Sequence, residues 1–181
     1  MLERIELCVN HARRVDGPAK SFAFEPGLNV IVGPNAAGKS TILRAIHSCE
    51  ICRKVFDGET FFHYFNAETM NPATAKGPAG DATGMALRIR ALFSSHGQIM
   101  KQALTTLPIR TGDCLLVDEP ETGQDLDGVL KIVEGLRAIC GEGGQVILAS
   151  HHPALWRDCR LIELQAGYSE DVRRRHRDLL D

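Results

Sequence analysis

Residues 33 to 41 read Gly33-Pro34-Asn35-Ala36-Ala37-Gly38-Lys39-Ser40-Thr41, a full match to the pattern G-x-x-x-x-G-K-[ST]. The run Leu28-Asn29-Val30-Ile31-Val32 leads into it and a helical pattern begins at Lys39, so the match sits in a strand–loop–helix unit. A chance match in a turn before an ordinary helix would lack those flanks. The backbone N–H groups of such a loop wrap the α- and β-phosphates of a nucleoside triphosphate, and the helix N-terminus adds a favourable dipole. Lys39 then reaches the β- and γ-phosphates, and the Ser40 hydroxyl holds Mg²⁺. The stretch predicts a nucleoside triphosphate with Mg²⁺ as the ligand.

Outward from the loop, residues 2–9 and 21–25 alternate apolar and polar side chains as half-buried strands do, with residues 11–20 as a turn. The helix after the loop is expected to reach about Val55, followed by an aromatic strand at 60–66. Residues 69–84 read as a loop, and 85–93 and 98–107 as short helices. The short apolar runs at 113–117 and 145–149 look like buried parallel strands, separated by a helical pattern from Leu126 to Cys140 that Gly141 and its neighbours stop. A last strand is expected at 160–165. Strands alternating with helices imply an α/β fold with a mostly parallel central sheet. The expectation is a single domain over 1–181, with antiparallel N-terminal strands, a reduced helical subdomain at about 56–110, and a basic tail helix within 166–181.

Composition narrows the function classes. The chain has 181 residues, 44% hydrophobic and 24% charged, with a formal net charge of −2. That balance gives no bulk electrostatic argument for nucleic acid or an acidic membrane. The first thirty residues lack the apolar core of a signal peptide, and no run approaches the ~18 apolar residues of a membrane span. A cytoplasmic protein without direct membrane insertion is expected. Of the six cysteines, Cys8 and Cys114 fall in predicted strands, where a thiol behaves as a small hydrophobe. Cys49 and Cys52 form a C-x-x-C on the predicted helix, with His47 nearby. No second ligand pair follows at zinc-finger spacing, so they read as structural thiols in a reducing compartment.

Four further stretches carry chemistry. Asp118-Glu119-Pro120 ends a buried strand, where Asp118 can bind Mg²⁺ through its water shell and Glu119 can polarise an attacking water. His151, after the strand ending at Ala149, can contact the γ-phosphate, whereas His152 stands one step further on, before Pro153. Ser94-Ser95-His96-Gly97-Gln98 is a small-residue turn with Ser95 as N-cap of the next helix, a usual anion site. Thr122-Gly123-Gln124-Asp125 follows the acidic pair.

In this order the motifs resemble those of ABC-type ATPases, most closely the SMC and RecF-like branch, in which "GLNVIVGPNAAGKSTIL" is a typical opening. The resemblance spans roughly residues 2 to 165. It implies that Lys39, Ser40 and Thr41 bind phosphate, that Asp118 is the Walker B carboxylate, Glu119 the catalytic glutamate and His151 the switch histidine. It also implies that Ser94–Gln98, with Ser95, Gly97 and Gln98, is the signature motif and that Asp125 is the D-loop aspartate. In that family the signature of one chain closes over the γ-phosphate held by another, so a head-to-tail homodimer or ATPase pair around two ATP molecules is implied. A separate effector subunit is expected, with DNA or a nuclease as a possible partner.

Some positions depart from the family pattern. Ala36 and Ala37 stand where the SMC-like sequence has Gly and a small residue, and His96 stands where Gly is common. The short interval from Lys39 to Ser95 leaves no room for coiled-coil arms. No clear Q-loop glutamine follows the aromatic strand, Asn66 or Glu68 being nearest to its place, and Arg13 or Arg14 could cover the adenine by cation–π packing. Two alternatives compete: the ATP-binding subunit of a membrane transporter, disfavoured by the short helical region, and a P-loop kinase, which would need neither the signature nor His151.

Overall fold

The continuous apolar runs and the alternating runs of the sequence become two different sheets. In a computed structural model describing residues 1–66 and 111–179, the elements are β1 (Leu2–Glu6), α1 (Val9–Ala12), β2 (Ser21–Ala23), β3 (Leu28–Val32), α2 (Lys39–Ser48), β4 (Arg53–Phe56) and β5 (Phe62–Asn66). After residue 110 come β6 (Cys114–Asp118), α3 (Leu126–Gly141), β7 (Gln145–Ala149), a 3₁₀ turn (Pro153–Trp156), β8 (Arg160–Glu163) and α4 (Tyr168–Asp178). The central sheet is parallel with strand order β5-β6-β7-β3-β8, and the alternating strands form a three-stranded antiparallel sheet, β2-β1-β4.

Both faces of the central sheet are covered, which is why its strands lack alternation. Val30, Val32, Leu115, Val117, Val146 and Leu148 pack toward α3 and Trp156. Their neighbours Ile31, Cys114, Leu116 and Ile147 face the opposite way, onto Ile42, Leu43 and Ile46 of α2 and onto Leu2, Ile5 and Phe22 of the small sheet. Each such fully buried aliphatic side chain contributes roughly 1.5–3 kcal/mol relative to an exposed one.

Several sequence expectations are corrected. The first strand stops at Glu6, so Cys8 lies beyond it, and residues 9–12 form a short helix where strand end and turn were expected. The helix after the P-loop stops at Ser48 instead of about Val55, and Arg53–Phe56 is a strand. Pairing decides this: β4 runs antiparallel to β1, with Ile5 opposite Lys54 and Glu6 opposite Arg53, and such long-range contacts override a helical local preference. Cys49 and Cys52 therefore lie in the turn between α2 and β4, not on a helix. Strands 2 and 8 are also shorter than expected. The loop at 69–84, the helices at 85–93 and 98–107, and most of the subdomain expected at 56–110 lie outside the described residues. No helix among the described residues is long and apolar enough to cross a membrane.

A buried side chain joins the two sheets. Gln145, buried at the start of β7, accepts a hydrogen bond from Leu2 N–H at 2.9 Å and donates to the Leu2 carbonyl at 2.9 Å and to the Glu25 carbonyl at 3.0 Å. Gln145→Leu removes the side-chain partner of both Leu2 backbone groups at a buried residue, and each such group left unpaired costs roughly 1–3 kcal/mol, while the Glu25 carbonyl keeps its bond from Asn29. Urea unfolding of this variant is expected to show a loss of about 3 kcal/mol; an unchanged midpoint would mean that Gln145 does not hold the small sheet.

Candidate functional site

The site is built at the carboxyl ends of the parallel strands, where open α/β sheets place their ligands. Strand register does the first alignment: Asn66 of β5 is level with Asp118 of β6, and Asp118 is level with Ala149 of β7. Because β7 lies between β6 and the P-loop strand β3, the Ser150-His151 segment emerges between the acidic pair and the phosphate loop.

The P-loop is shaped by what packs behind it. Gly38 has φ +101°, and a Cβ there would lie 2.6 Å from the Arg14 carbonyl oxygen and 2.7 Å from Val15 Cα. A side chain is thus barred both by conformation and by space. Asp16 N–H donates to the Ala37 carbonyl at 3.0 Å, which ties the loop to the segment after α1. Arg13 and Arg14 are exposed next to it. Ala36 has φ +62°, the left-handed region that costs an L-residue about 1–2 kcal/mol. The Lys39 ammonium donates to the carbonyls of Gly33 at 3.2 Å and Pro34 at 3.0 Å. Burial lowers its pKa below the ordinary value, opposed by the carboxylates of Glu119, Asp118 and Glu121. A triphosphate would add negative charge directly at this buried cation.

Asp118 is the hub of the site. Its Oδ1 accepts from the Ser40 hydroxyl at 2.9 Å, and its Oδ2 from Tyr64 at 2.9 Å and Asn66 at 3.0 Å. Burial, then the Asp118 charge, raises the Tyr64 pKa, so the phenol stays a donor. A cavity of about 50 Å³ is lined by Ser40, Arg44, Asn66, Asp118 and Glu119. The hydroxyl and carboxylate are hard oxygen donors of the kind Mg²⁺ takes with several waters. The cavity is large enough for an ion with part of that shell, so the residues present fit the metal.

Glu119 has φ +47°, strained for a non-glycine, and its N–H donates to the Ala149 carbonyl at 2.9 Å. Left-handed backbone at such a position is typical of functional sites. Its Oε1 lies 3.3 Å from His151 Nε2, within ion-pair range though misaligned for a hydrogen bond. His152 instead caps the 3₁₀ turn, its Nδ1 accepting from Ala154 N–H at 3.2 Å. Asp125 caps α3 by accepting from Gly128 N–H at 2.8 Å.

The structure thus brings together Lys39, Ser40, Asp118, Glu119 and His151, all named from sequence. Asp125 lies at the start of α3, and Ser95, Gly97, Gln98 and Glu68 lie outside the described residues. Tyr64 and Glu121 were missed as parts of the site, whereas Asn66 was expected only near the place of a Q-loop glutamine. Tyr64 and Asn66 share one face of β5 and converge on Asp118, a pattern visible only as an i, i+2 pair at a strand end. Glu121 is the second acid after β6: its Oε1 accepts from Ser150 Oγ at 2.8 Å, His151 N–H at 2.6 Å and His152 N–H at 3.2 Å. It fixes the loop that carries His151.

Comparison with known proteins supports an ABC-type ATPase. The AAA domain family matches residues 15–50, the segment holding the P-loop. A cytochrome c biogenesis ATP-binding export protein, CcmA, of Paracoccus denitrificans (strain Pd 1222) is 26% identical over 172 residues, covering 83% of this chain and 82% of that protein. Among solved structures, a nucleotide-free ATP-binding cassette from an ABC transporter aligns with TM-score 0.53 at 14% identity, covering 90% of this chain and 87% of the other. A cassette of another ABC transporter in its ADP conformation aligns with TM-score 0.50 at 17% identity, covering 84% and 82%. These two likenesses establish the fold: a P-loop α/β domain of the ATP-binding-cassette type.

The left-handed Ala36 offers a direct check of the loop geometry. Ala36→Gly relieves that strain, and the nucleotide-free protein should gain roughly 1 kcal/mol in denaturant unfolding, since alanine at positive φ costs more than glycine's extra chain entropy. A loss of stability would show that the loop does not hold this conformation.

Proposed function

We propose that this chain hydrolyses ATP to ADP and phosphate as one of a pair of chains, and that the cycle drives a separate membrane-embedded partner. The observation that carries the reading is the meeting of Ser40, Asp118 and Glu119 around one small cavity beside the P-loop, with His151 Nε2 3.3 Å from Glu119 Oε1. Lys39 and the loop N–H groups bind the β- and γ-phosphates. Ser40, and Asp118 through water, would hold Mg²⁺, which supplies charge neutralisation at the phosphates when bound. Tyr64 and Asn66 donate to Asp118 Oδ2 and fix the carboxylate in place. Glu119 orients and polarises the attacking water, and His151, positioned by Glu121, contacts the γ-phosphate. Catalysis is then mainly positioning and electrostatic stabilisation.

The paired form is supported by the order of motifs and by what α3 exposes next to Asp125. Leu126 and Leu130, 62% and 47% exposed, share one face of that helix and would be covered by a second chain. Ser95, Gly97 and Gln98 of that second chain are proposed to close over the γ-phosphate.

The choice of partner class differs from the first expectation. Relatives named as ATP-binding export proteins and cassettes from ABC transporters favour the transporter reading over DNA repair or antiphage defence. Three of the four arginines of the tail helix have internal partners. Arg174 and Arg175 pair with Asp171, and Arg173 donates to the Trp156 carbonyl at 3.1 Å. The proposed place of action is the cytoplasmic face of a membrane, reached through the partner.

Glu119→Gln removes the base while keeping size and polarity. ATP binding is expected to persist, hydrolysis to fall at least ~100-fold, and a dimer to accumulate at saturating ATP. A variant that turns over ATP at the normal rate would remove Glu119 from the mechanism.

A further inference from the structure

The turn after α2 brings a second pair of metal-type ligands to the C-x-x-C. Cys8 Sγ lies 3.1 Å from His11 Nδ1 and 4.0 Å from Cys49 Sγ, and Cys52 Sγ lies 3.6 Å from the same His11 nitrogen. The four ligand atoms all lie within 4.8 Å of one another. The missing pair is therefore Cys8-x-x-His11, upstream of the P-loop instead of downstream of the C-x-x-C. His47 is not part of the group: its ring bonds Ser48 at 2.7 Å and packs against Tyr64.

We propose that Cys8, His11, Cys49 and Cys52 bind a single Zn²⁺ ion. Zinc sites with three thiolates and one imidazole are tetrahedral, with Zn–S of ~2.3 Å and Zn–N of ~2.0 Å, which sets ligand–ligand edges at roughly 3.5–3.8 Å. The observed separations bracket those edges. They are too short for an iron–sulfur cluster, whose protein ligands are spread over several iron atoms. The sulfurs are also supplied with backbone donors. Cys8 N–H donates to Cys52 Sγ at 3.3 Å, and the Ile51 and Cys52 backbone groups hydrogen-bond Cys49. N–H donors of this kind support a thiolate and orient it, the usual outer shell of a metal site. Packing alone gives no reason for four sulfur and nitrogen donors to converge. Cys52 is buried while Cys8, His11 and Cys49 are half-buried, so an ion could enter from one side.

The ion would join α1 to the end of α2 remote from the P-loop. On binding, the cysteines lose their protons to solvent and His11 coordinates as neutral imidazole through Nδ1, with no change of oxidation state. Because α1 runs directly into the Arg14–Asp16 segment behind Gly38, the ion would brace the loop's backing from a distance. The inference is independent of the hydrolytic reading above.

The test uses the full chain, expressed with added Zn²⁺ and purified under reducing conditions without chelator. Metal analysis is expected to find about one Zn²⁺ per chain, and exchange for Co²⁺ to give the intense visible absorption of a tetrahedral thiolate site. The double variant Cys49→Ser/Cys52→Ser should lose the metal to background, while His47→Ala should keep it. Should the double variant fail to fold, His11→Ala, which keeps three sulfurs, should still show a Co²⁺ spectrum with its bands shifted. Wild-type protein with reduced thiols that takes up neither metal would overturn the site. So would a Cys8–Cys49 disulfide, or a Co²⁺ spectrum unaltered in His11→Ala.

Discussion

The hydrogen bond from the Ser40 hydroxyl to Asp118, 2.9 Å long, connects the two parts of the chain on which everything else depends. Ser40 opens α2 and Asp118 ends β6, far apart in sequence and separated in the sheet by β7. They meet only because the parallel strands are in register at their carboxyl ends and because α2 is packed by Ile42, Leu43 and Ile46 against Leu116 and Ile147. The buried face of the sheet therefore sets the position of the metal-type ligands. A shift of one residue would turn Asp118 to the other face of its strand.

Around that link the chain concentrates local strain and charge. Ala36 and Glu119 occupy left-handed backbone, and Lys39 is partly desolvated among three carboxylates. Such costs persist only where surrounding structure over-determines them. Here Glu121 clamps the Ser150–His152 backbone, and Tyr64 with Asn66 saturates Asp118 Oδ2. The region is ready to receive a polyanion, and the proposed hydrolysis needs little beyond that preorganisation.

The fold was largely legible because its signals are local. Leu28–Val32 and Gln145–Ala149 are strands with the bounds their apolar runs suggest, and the P-loop glycine that only positive φ explains is in its place. The candidate site was legible in Asp118, Glu119 and His151, since each lies at or just beyond a strand end. What escaped was non-local. The pairing of Arg53–Phe56 with β1 cut α2 short, and that same turn carried Cys49 and Cys52 toward Cys8 and His11. No spacing rule along the chain would find those partners, because a strand pairing brings them together. Glu121 and Tyr64 were missed likewise, as their roles exist only across strands.

The described residues are proposed to hold one half of a nucleotide site, with a second chain supplying the other. Mixing two variants tests it: Lys39→Ala, which spoils phosphate binding, and Ser95→Arg, which spoils the proposed signature. Each alone should be inactive. A mixed pair has one intact composite site, made from the P-loop of one chain and Ser95 of its partner, so the mixture should regain ATP hydrolysis. A mixture as inactive as either variant alone, with mixed dimers demonstrated, would contradict the shared site.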